Sequence, residues 1–329
     1  GNQRIQKLDP NGNFMEEWDS STVNEGFSFN PVGIGRDTND NVYVTAEFNF
    51  ICKFNAEGLF VSKWAASGNE DGKFRLPKGI AVDSNGNVYV ADTENDRIQK
   101  FSSNGSHLVT WTTYGGDEIP FTNLKAIAVD SDGNSYIVSV NTVKKLDASG
   151  NHLATWGSLG GEAGQFRGPR GITVNNYTGH VYVADTGNHR IQKFTTEGNH
   201  ETMWTAGGQD SLPVGVTTDN DGNVYVIIQN DDQAVHKFTQ DGVLLRTWGE
   251  EGTGDREFGR CQFDCPLYQG PYGIVTDGNT YVYIADTLNN RIQQFDLDGN
   301  FVSKWGFHGT SPGQMNLPHG IAVFDDKIY

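Results

Sequence analysis

The chain alternates short apolar runs with polar, glycine-containing turns from end to end, and no apolar stretch keeps a helical period. In the segment 77–111 the pattern is clearest. Ile80-Ala-Val82 is followed by Asp83-Ser-Asn-Gly86, then by Val88-Tyr-Val-Ala91, whose β-branched and aromatic residues favour a strand. A polar link, Asp92 to Asp96, leads to Arg97-Ile-Gln-Lys-Phe101, in which Ile98 and Lys100 face away from Gln99 and Phe101. Ser103-Asn-Gly105 turns the chain once more, into a strand that ends at Trp111. Four short strands, a to d, are predicted in about 35 residues, and helical repeats are excluded because no unit has a glycine-free stretch of 3.6 periodicity.

That unit recurs. Tryptophans stand at 18, 64, 111, 156, 204, 248 and 305, and a second marker keeps phase with them: Pro31-Val-Gly-Ile, Pro77-Lys-Gly-Ile, Leu124-Lys-Ala-Ile, Pro169-Arg-Gly-Ile, Pro213-Val-Gly-Val, Pro271-Tyr-Gly-Ile and Pro318-His-Gly-Ile. A length of 329 residues suggests two domains of ordinary size, but seven phased units suggest one tandem array. Four antiparallel strands per unit predict an all-β propeller, a single domain over 1–329. The chain starts and stops in mid-unit, so one closing blade is expected from 1–30 and 318–329, with strands a and b from the C-terminus and c and d from the N-terminus. The recurring tryptophans are read as packing between blades. Each would bury roughly 150–250 Å², an upper bound near 4–6 kcal/mol. A sugar- or choline-binding aromatic platform is the functional alternative.

Ala91-Asp-Thr-Glu-Asn-Asp-Arg97, Ala184-Asp-Thr-Gly-Asn-His-Arg190 and Ala285-Asp-Thr-Leu-Asn-Asn-Arg291, each followed by an Ile-Gln strand, resemble the NHL-repeat family. The resemblance covers essentially the whole chain. It implies a β-propeller, often of six blades, so a count of seven is a departure and six is the alternative. It leaves function open, because the family holds protein-binding, RNA-binding, sensor and enzymatic members. The Asp and Arg of this element are expected to brace loops or pair between blades. The units that begin at Pro31, Leu124 and Pro213 have lost it, and there Phe48, Phe50 and Asp231 are candidate partner-binding residues.

The d–a and b–c connections emerge at one end of the blades, where function is expected. The residue between Pro and Gly at the start of strand a should line the mouth of the central channel: Val32, Lys78, Lys125, Arg170, Val214, Tyr272 and His319. The chain carries 41 acidic against 24 basic residues, net −17, yet none of these seven is acidic. Lys78, Lys125, Arg170, Tyr272 and His319 are therefore candidate ligand contacts for an anionic ligand or an acidic peptide. Neutralisation of neighbouring acidic loops is the structural alternative.

The acidic balance argues against nucleic acid as a general partner, although RNA-binding relatives use a local basic patch. No apolar run is long enough to span a bilayer, and residues 1–10 do not read as a signal peptide. No cofactor is expected. Turns such as Asp83-Ser-Asn-Gly86 resemble the start of a calcium loop, but the rest of such a loop does not follow, so hairpins explain them better and weak surface calcium is the alternative. The family's amidating lyases use a histidine-built zinc site, a cluster that the eight histidines here do not supply. Cys261 and Cys265, in an extended d–a loop, are read as a small disulfide, with free thiols or two metal ligands as alternatives, and Cys52 as a buried free thiol. The resulting expectation is a non-enzymatic scaffold, extracellular, periplasmic or at the cell surface, binding a protein or other macromolecule. A lyase or hydrolase at the channel mouth, or a module of a larger surface assembly, are the alternatives.

Overall fold

The computed structural model describes residues 2–19, 30–112, 121, 123–230, 233–260, 270–324 and 327–329. Among them are seven four-stranded antiparallel sheets, the blades of an all-β propeller. Blade 1 is Pro31–Arg36, Val42–Ala46, Phe50–Phe54 and Phe60–Trp64, and blade 2 is Pro77–Val82, Val88–Asp92, Arg97–Phe101 and His107–Trp111. Blade 3 is Leu124–Val129, Ser135–Ser139, Thr142–Leu146 and His152–Trp156. Blades 4, 5 and 6 run from Gly171 to Thr205, from Leu212 to Trp248 and from Ile274 to Trp305. Blade 7 is composite, with Val323–Phe324 and Lys327–Ile328 from one end of the chain and Ile5–Leu8 and Phe14–Trp18 from the other.

The backbone divides into two compact units. One comprises Gln3–Ile5 and Glu17–Ser158 and holds blades 1 to 3; the other comprises Gly1–Asn2, Gln6–Glu16 and Leu159–Tyr329 and holds blades 4 to 6 and most of blade 7. Within each unit the core lies between successive blades. Tyr89, Ala91, Ile98 and Trp111 of blade 2 pack on Leu124, Ile137 and Leu146 of blade 3, and Tyr182, Ala184 and Ile191 of blade 4 pack on Val224, Val226 and Ile228 of blade 5. A blade with neighbours on both faces buries both faces of its inner strands. Val88–Asp92 and Arg97–Phe101 are accordingly buried at every position, and the alternation expected along Arg97–Phe101 does not become an inside and an outside.

The tryptophans do pack between blades, and glycine is what admits them. A Cβ on Gly105 would lie 2.7 Å from the Trp64 ring, and one on Gly150 would overlap Trp111 at 1.7 Å. Trp204 meets Gly242, Trp248 meets Gly299 and Trp305 meets Gly12 in the same way. Each of these glycines turns strand c into strand d on the next blade with a positive φ between 75° and 87°, so the residue that makes the turn also clears the indole's seat.

Strand a starts earlier than the sequence predicts, at Pro77 in blade 2, because Pro77 pairs with Asp92 before the register shifts ahead of Ile80. The same shift falls between Pro31 and Gly33, Leu124 and Ala126, and Pro213 and Gly215. Near the start of strand a in blades 1, 2, 3 and 5 the chain therefore carries a bulge, which holds Val32, Lys78, Lys125 and Val214.

Candidate functional site

A bulge re-aims the side chain it carries. In the unit of blades 1 to 3 the bulged residues are Val32, Lys78 and Lys125, and both lysines are exposed. The Lys78 backbone is held against blade 1: a Cβ on Gly33 would lie 2.3 Å from its carbonyl oxygen, which also accepts the Thr45 hydroxyl at 3.0 Å. In the other unit Arg170, Val214, Tyr272 and His319 stand at the corresponding places. A Cβ on Gly171, Gly215 or Gly273 would come within 2.6, 3.2 and 2.3 Å of the carbonyl oxygens of Val214, Tyr272 and His319 respectively. These contacts string the four residues along one arc. Arg170 and Tyr272 are exposed, and Tyr272 stacks on His319 with ring centroids 5.7 Å apart. Burial lowers the His319 pKa to about 4, so its imidazole is neutral at pH 7.

Beside the start of strand a, the b–c connection of blade 2 forms a single 3-10 turn, Thr93–Asn95, and the buried Asp92 before it organises a polar clamp. Its Oδ2 accepts Arg97 Nε at 2.6 Å, Asn95 Nδ2 at 2.9 Å and Gln99 Nε2 at 3.0 Å, while Oδ1 accepts the Arg75 N–H at 2.7 Å. The other end of the Arg97 guanidinium donates to the carbonyls of Asn69, Glu70 and Lys73. Gln99 closes the ring, donating to Lys73 O and accepting from the Gly72 N–H. The whole d–a connection is thus tied to strands b and c of the blade it enters.

Asp185, Asn188, Arg190 and Gln192 repeat the clamp on 160–167. Asp286, Asn289, Arg291 and Gln293 repeat it on 252–259. Burial raises the Asp286 pKa against the opposing bonds from Gly259, Asn289 and Arg291. In blade 7, Asn2 and Gln6 hold Gly309, Gly313 and Gln314 alike. Each clamped loop also closes on itself by a short parallel contact: Ser67 with Phe74, Leu159 with Phe166, Glu250–Glu251 with Glu257–Phe258, and His308 with Met315.

Comparison with known proteins matches these same features. The family model described as "NHL repeat" fits residues 74–101 and 166–194. Each match begins at the phenylalanine of a clamped loop and runs through the Asp, Arg and Gln that clamp it. The chain carries NHL repeats. NHL repeat-containing protein 3 of Homo sapiens is 27% identical over 157 residues, which is 43% of this chain and 42% of that protein. Protein lin-41 of Caenorhabditis elegans is 45% identical over 60 residues, 18% of this chain and 4% of that one. Peptidyl-glycine alpha-amidating monooxygenase B of Xenopus laevis is 32% identical over 130 residues, 35% and 13% respectively. The chain thus spans less than half the length of each of these relatives. Virginiamycin B lyase from Staphylococcus aureus superposes with a TM-score of 0.67 at 17% identity over 99% of this chain and 98% of that one, a likeness of fold alone.

The clamp is carried in full by blades 2, 4 and 6, whereas blades 1, 3 and 5 lack it. Ala46, Ser139 and Ile228 take the place of the acid, and Phe50, Thr142 and Ala234 that of the arginine. Phe50 is corrected as a surface candidate. It opens strand c at 3% exposure with Lys63 Nζ 5.0 Å over its ring, because it occupies the arginine's inward-facing position. Phe48, in the turn before it, is 53% exposed. Asp231, Cys261 and Cys265 lie outside the described residues, and Cys52 is a buried free thiol.

The calcium-like turns have their carboxylates occupied. Asp83 Oδ1 accepts the N–H groups of Asn85 and Asn87, and Oδ2 accepts Asn87 Nδ2 and the buried Tyr89 hydroxyl. Asp37, Asp130 and Asp219 hold Asn41 and Tyr43, Asn134 and Tyr136, and Asn223 and Tyr225 likewise. Among the described residues no group of three or more His, Cys, Asp or Glu side chains is placed to hold a metal ion. His107 and His152 each bond a threonine three residues on along their own strand d, at 2.7 Å.

Proposed function

We propose that the chain is a non-enzymatic binding scaffold that takes a protein or other anionic macromolecule at the end of the blades where the d–a and b–c connections emerge. The observation that carries this reading is the exposure of Lys78 and Lys125, each at a register shift near the start of strand a, in a chain of net charge −17. Cations fixed on rigid strands create a local positive field without an ordering cost on binding. The buried carboxylates support the same reading, since Asp92, Asp185 and Asp286 are committed to clamping loops. The test is titration of fluorescein-labelled polyglutamate at low and physiological salt. Lys78→Glu with Lys125→Glu is expected to weaken binding at least about tenfold, an effect that shrinks as salt rises. Equal binding by wild type and variant at low salt refutes the reading.

A second reading, a lyase or hydrolase, is favoured by one observation: His319 is neutral at pH 7 and stacked on the exposed Tyr272, as a general base would need to be. Turnover of a lactone or ester panel that disappears in His319→Ala would move the assignment to it.

A further inference from the structure

Blades 1 and 3 do more than omit the clamp. In place of its turn each presents an exposed apolar side chain, Phe48 at 53% and Val140 at 41% exposure. Val140 also has a φ of 48°, in the left-handed region that a β-branched residue strongly disfavours. The left-handed residues of the b–c turns in blades 1, 2, 4 and 6 are Asn49, Asp96, His189 and Asn290, polar side chains that tolerate this region, whereas in blade 3 the first residue of the two-residue turn Val140-Asn141 takes it. Blade 3 therefore keeps a strained, solvent-facing valine where asparagine would be the relaxed choice. Backbone strain of this kind marks a position held for something other than stability.

The surroundings say what it would meet. Leu124 pairs with Ser139, so Lys125 and Val140 emerge at the same end of blade 3; Pro31 pairs with Ala46, which places Phe48 at that end of blade 1. Between them lies blade 2, with Lys78 on its strand a and Glu94 and Asp96 exposed on its b–c turn. In an arc of three blades, a straight segment joining the outer two b–c turns passes inside the middle one. The a strands of the three blades touch one another and so lie innermost, and the segment therefore passes blade 2 on its Lys78 side, ends beside Lys125 and leaves Glu94 and Asp96 on its outer flank.

We infer that this strip docks an extended acidic peptide with an apolar side chain at each end of its acidic run. Lys78 and Lys125 face the carboxylates, and Phe48 and Val140 take the apolar ends. This rests on the scaffold reading above and adds the chemistry of the partner. A peptide suits the strip better than RNA for two reasons. Valine offers no π face for a base, and the flanking Glu94 and Asp96 oppose a continuous phosphate backbone but not a short central run of carboxylates.

The experiment compares three labelled probes on the full chain: a peptide with leucines flanking a glutamate run, the same peptide with serines for leucines, and an oligouridylate. It uses the variants Phe48→Ser and Val140→Asn. The leucine peptide is expected to bind most tightly, and each variant to weaken it about tenfold, the effect of exposing one apolar side chain. Val140→Asn should do so with an unchanged or raised melting temperature, which a merely structural role for Val140 would not give. Equal affinity for the leucine and serine peptides, with both variants silent while Lys78→Glu still abolishes binding, overturns this inference and leaves the scaffold reading standing. Preference for the oligouridylate overturns it in favour of nucleic acid. Failure of every acidic probe removes both.

Discussion

Blades 2, 4 and 6 of this chain and blades 1, 3 and 5 solve the same problem differently. Blades 2, 4 and 6 bury an aspartate and an arginine and use them to hold a d–a connection by its backbone carbonyls; blades 1, 3 and 5 have neither residue. A buried charge pair is an expensive way to gain stability, and its usual benefit is to impose one conformation. The clamped loops are long and rich in glycine, as in 66–75, 157–168 and 249–259, so a conformation has to be imposed. Blade 5 shows the alternative: its d–a connection is short, running from Ala206 to Ser211, and it has no guanidinium to hold it. Length alone does not decide which connection is clamped, since twelve residues separate Trp18 from Pro31 and Trp111 from Leu124 just as they separate Trp64 from Pro77; in blades 1 and 3 the b–c turn without a clamp is where apolar side chains surface.

The sharpest way to break this comparison is to remove one arginine. Arg190→Ala leaves Asp185 buried beside three freed carbonyls and is expected to cost about 3–5 kcal/mol in urea unfolding. Thr142→Val, at the same position in blade 3, removes one hydrogen bond to Ser139 and should cost about 1 kcal/mol. Similar losses for the two would mean that the clamp is ornamental. Amide exchange at Gly72 and Arg75, whose N–H groups the blade 2 clamp accepts, should speed up in Arg97→Ala by a comparable free energy.

Acid tests a group that stands outside any clamp. His319 has its pKa lowered from 6.5 to about 4, so the unfolded chain binds a proton that the folded one refuses between those values. Its contribution is absent above pH 6.5, and stability falls as pH drops toward 4, by up to about 3 kcal/mol. His319→Gln should flatten that part of the stability profile while leaving stability at pH 7.5 nearly unchanged. A profile identical to wild type would show that the ring is solvated.

Two smaller effects sharpen the picture from either side. Gly105→Ala places a methyl group against Trp64 at a φ of +85° and is expected to lower stability by about 1–3 kcal/mol. Val140→Asn is expected to raise it, by at most about 1 kcal/mol, through relief of the left-handed valine. Thermal melts read both.

The seven units, the strand count and the composite blade were legible in the sequence because tryptophan and Pro-x-Gly-Ile recur at fixed phase, and each marks a packing contact between blades. The destination of Arg97 was not legible. Its partners are carbonyls of residues 69, 70 and 73, and a carbonyl has no signature in the sequence. The available signal was the recurrence, before blades 2, 4 and 7, of a glycine two residues ahead of an aromatic or methionine: Gly72-Lys-Phe74, Gly164-Gln-Phe166 and Gly313-Gln-Met315. Phe50 was misplaced for a related reason. Without the Asp–Arg spacing to set the register, the first residue of strand c reads as the end of a loop. Lys78 occupies the second position of strand a and Arg170 directly precedes strand a of its blade; the bulge at Lys78 is a property of pairing between strands and leaves no mark on either strand alone.

The seating of the tryptophans has an optical consequence. Trp64, Trp111, Trp204, Trp248 and Trp305 each lie on a glycine of the following blade, so the emission of each indole depends on whether one particular seam is shut. Replacing all but one by phenylalanine would leave a single lamp at a chosen seam. A set of such variants, followed through denaturant, would show in colour and intensity which seam opens first.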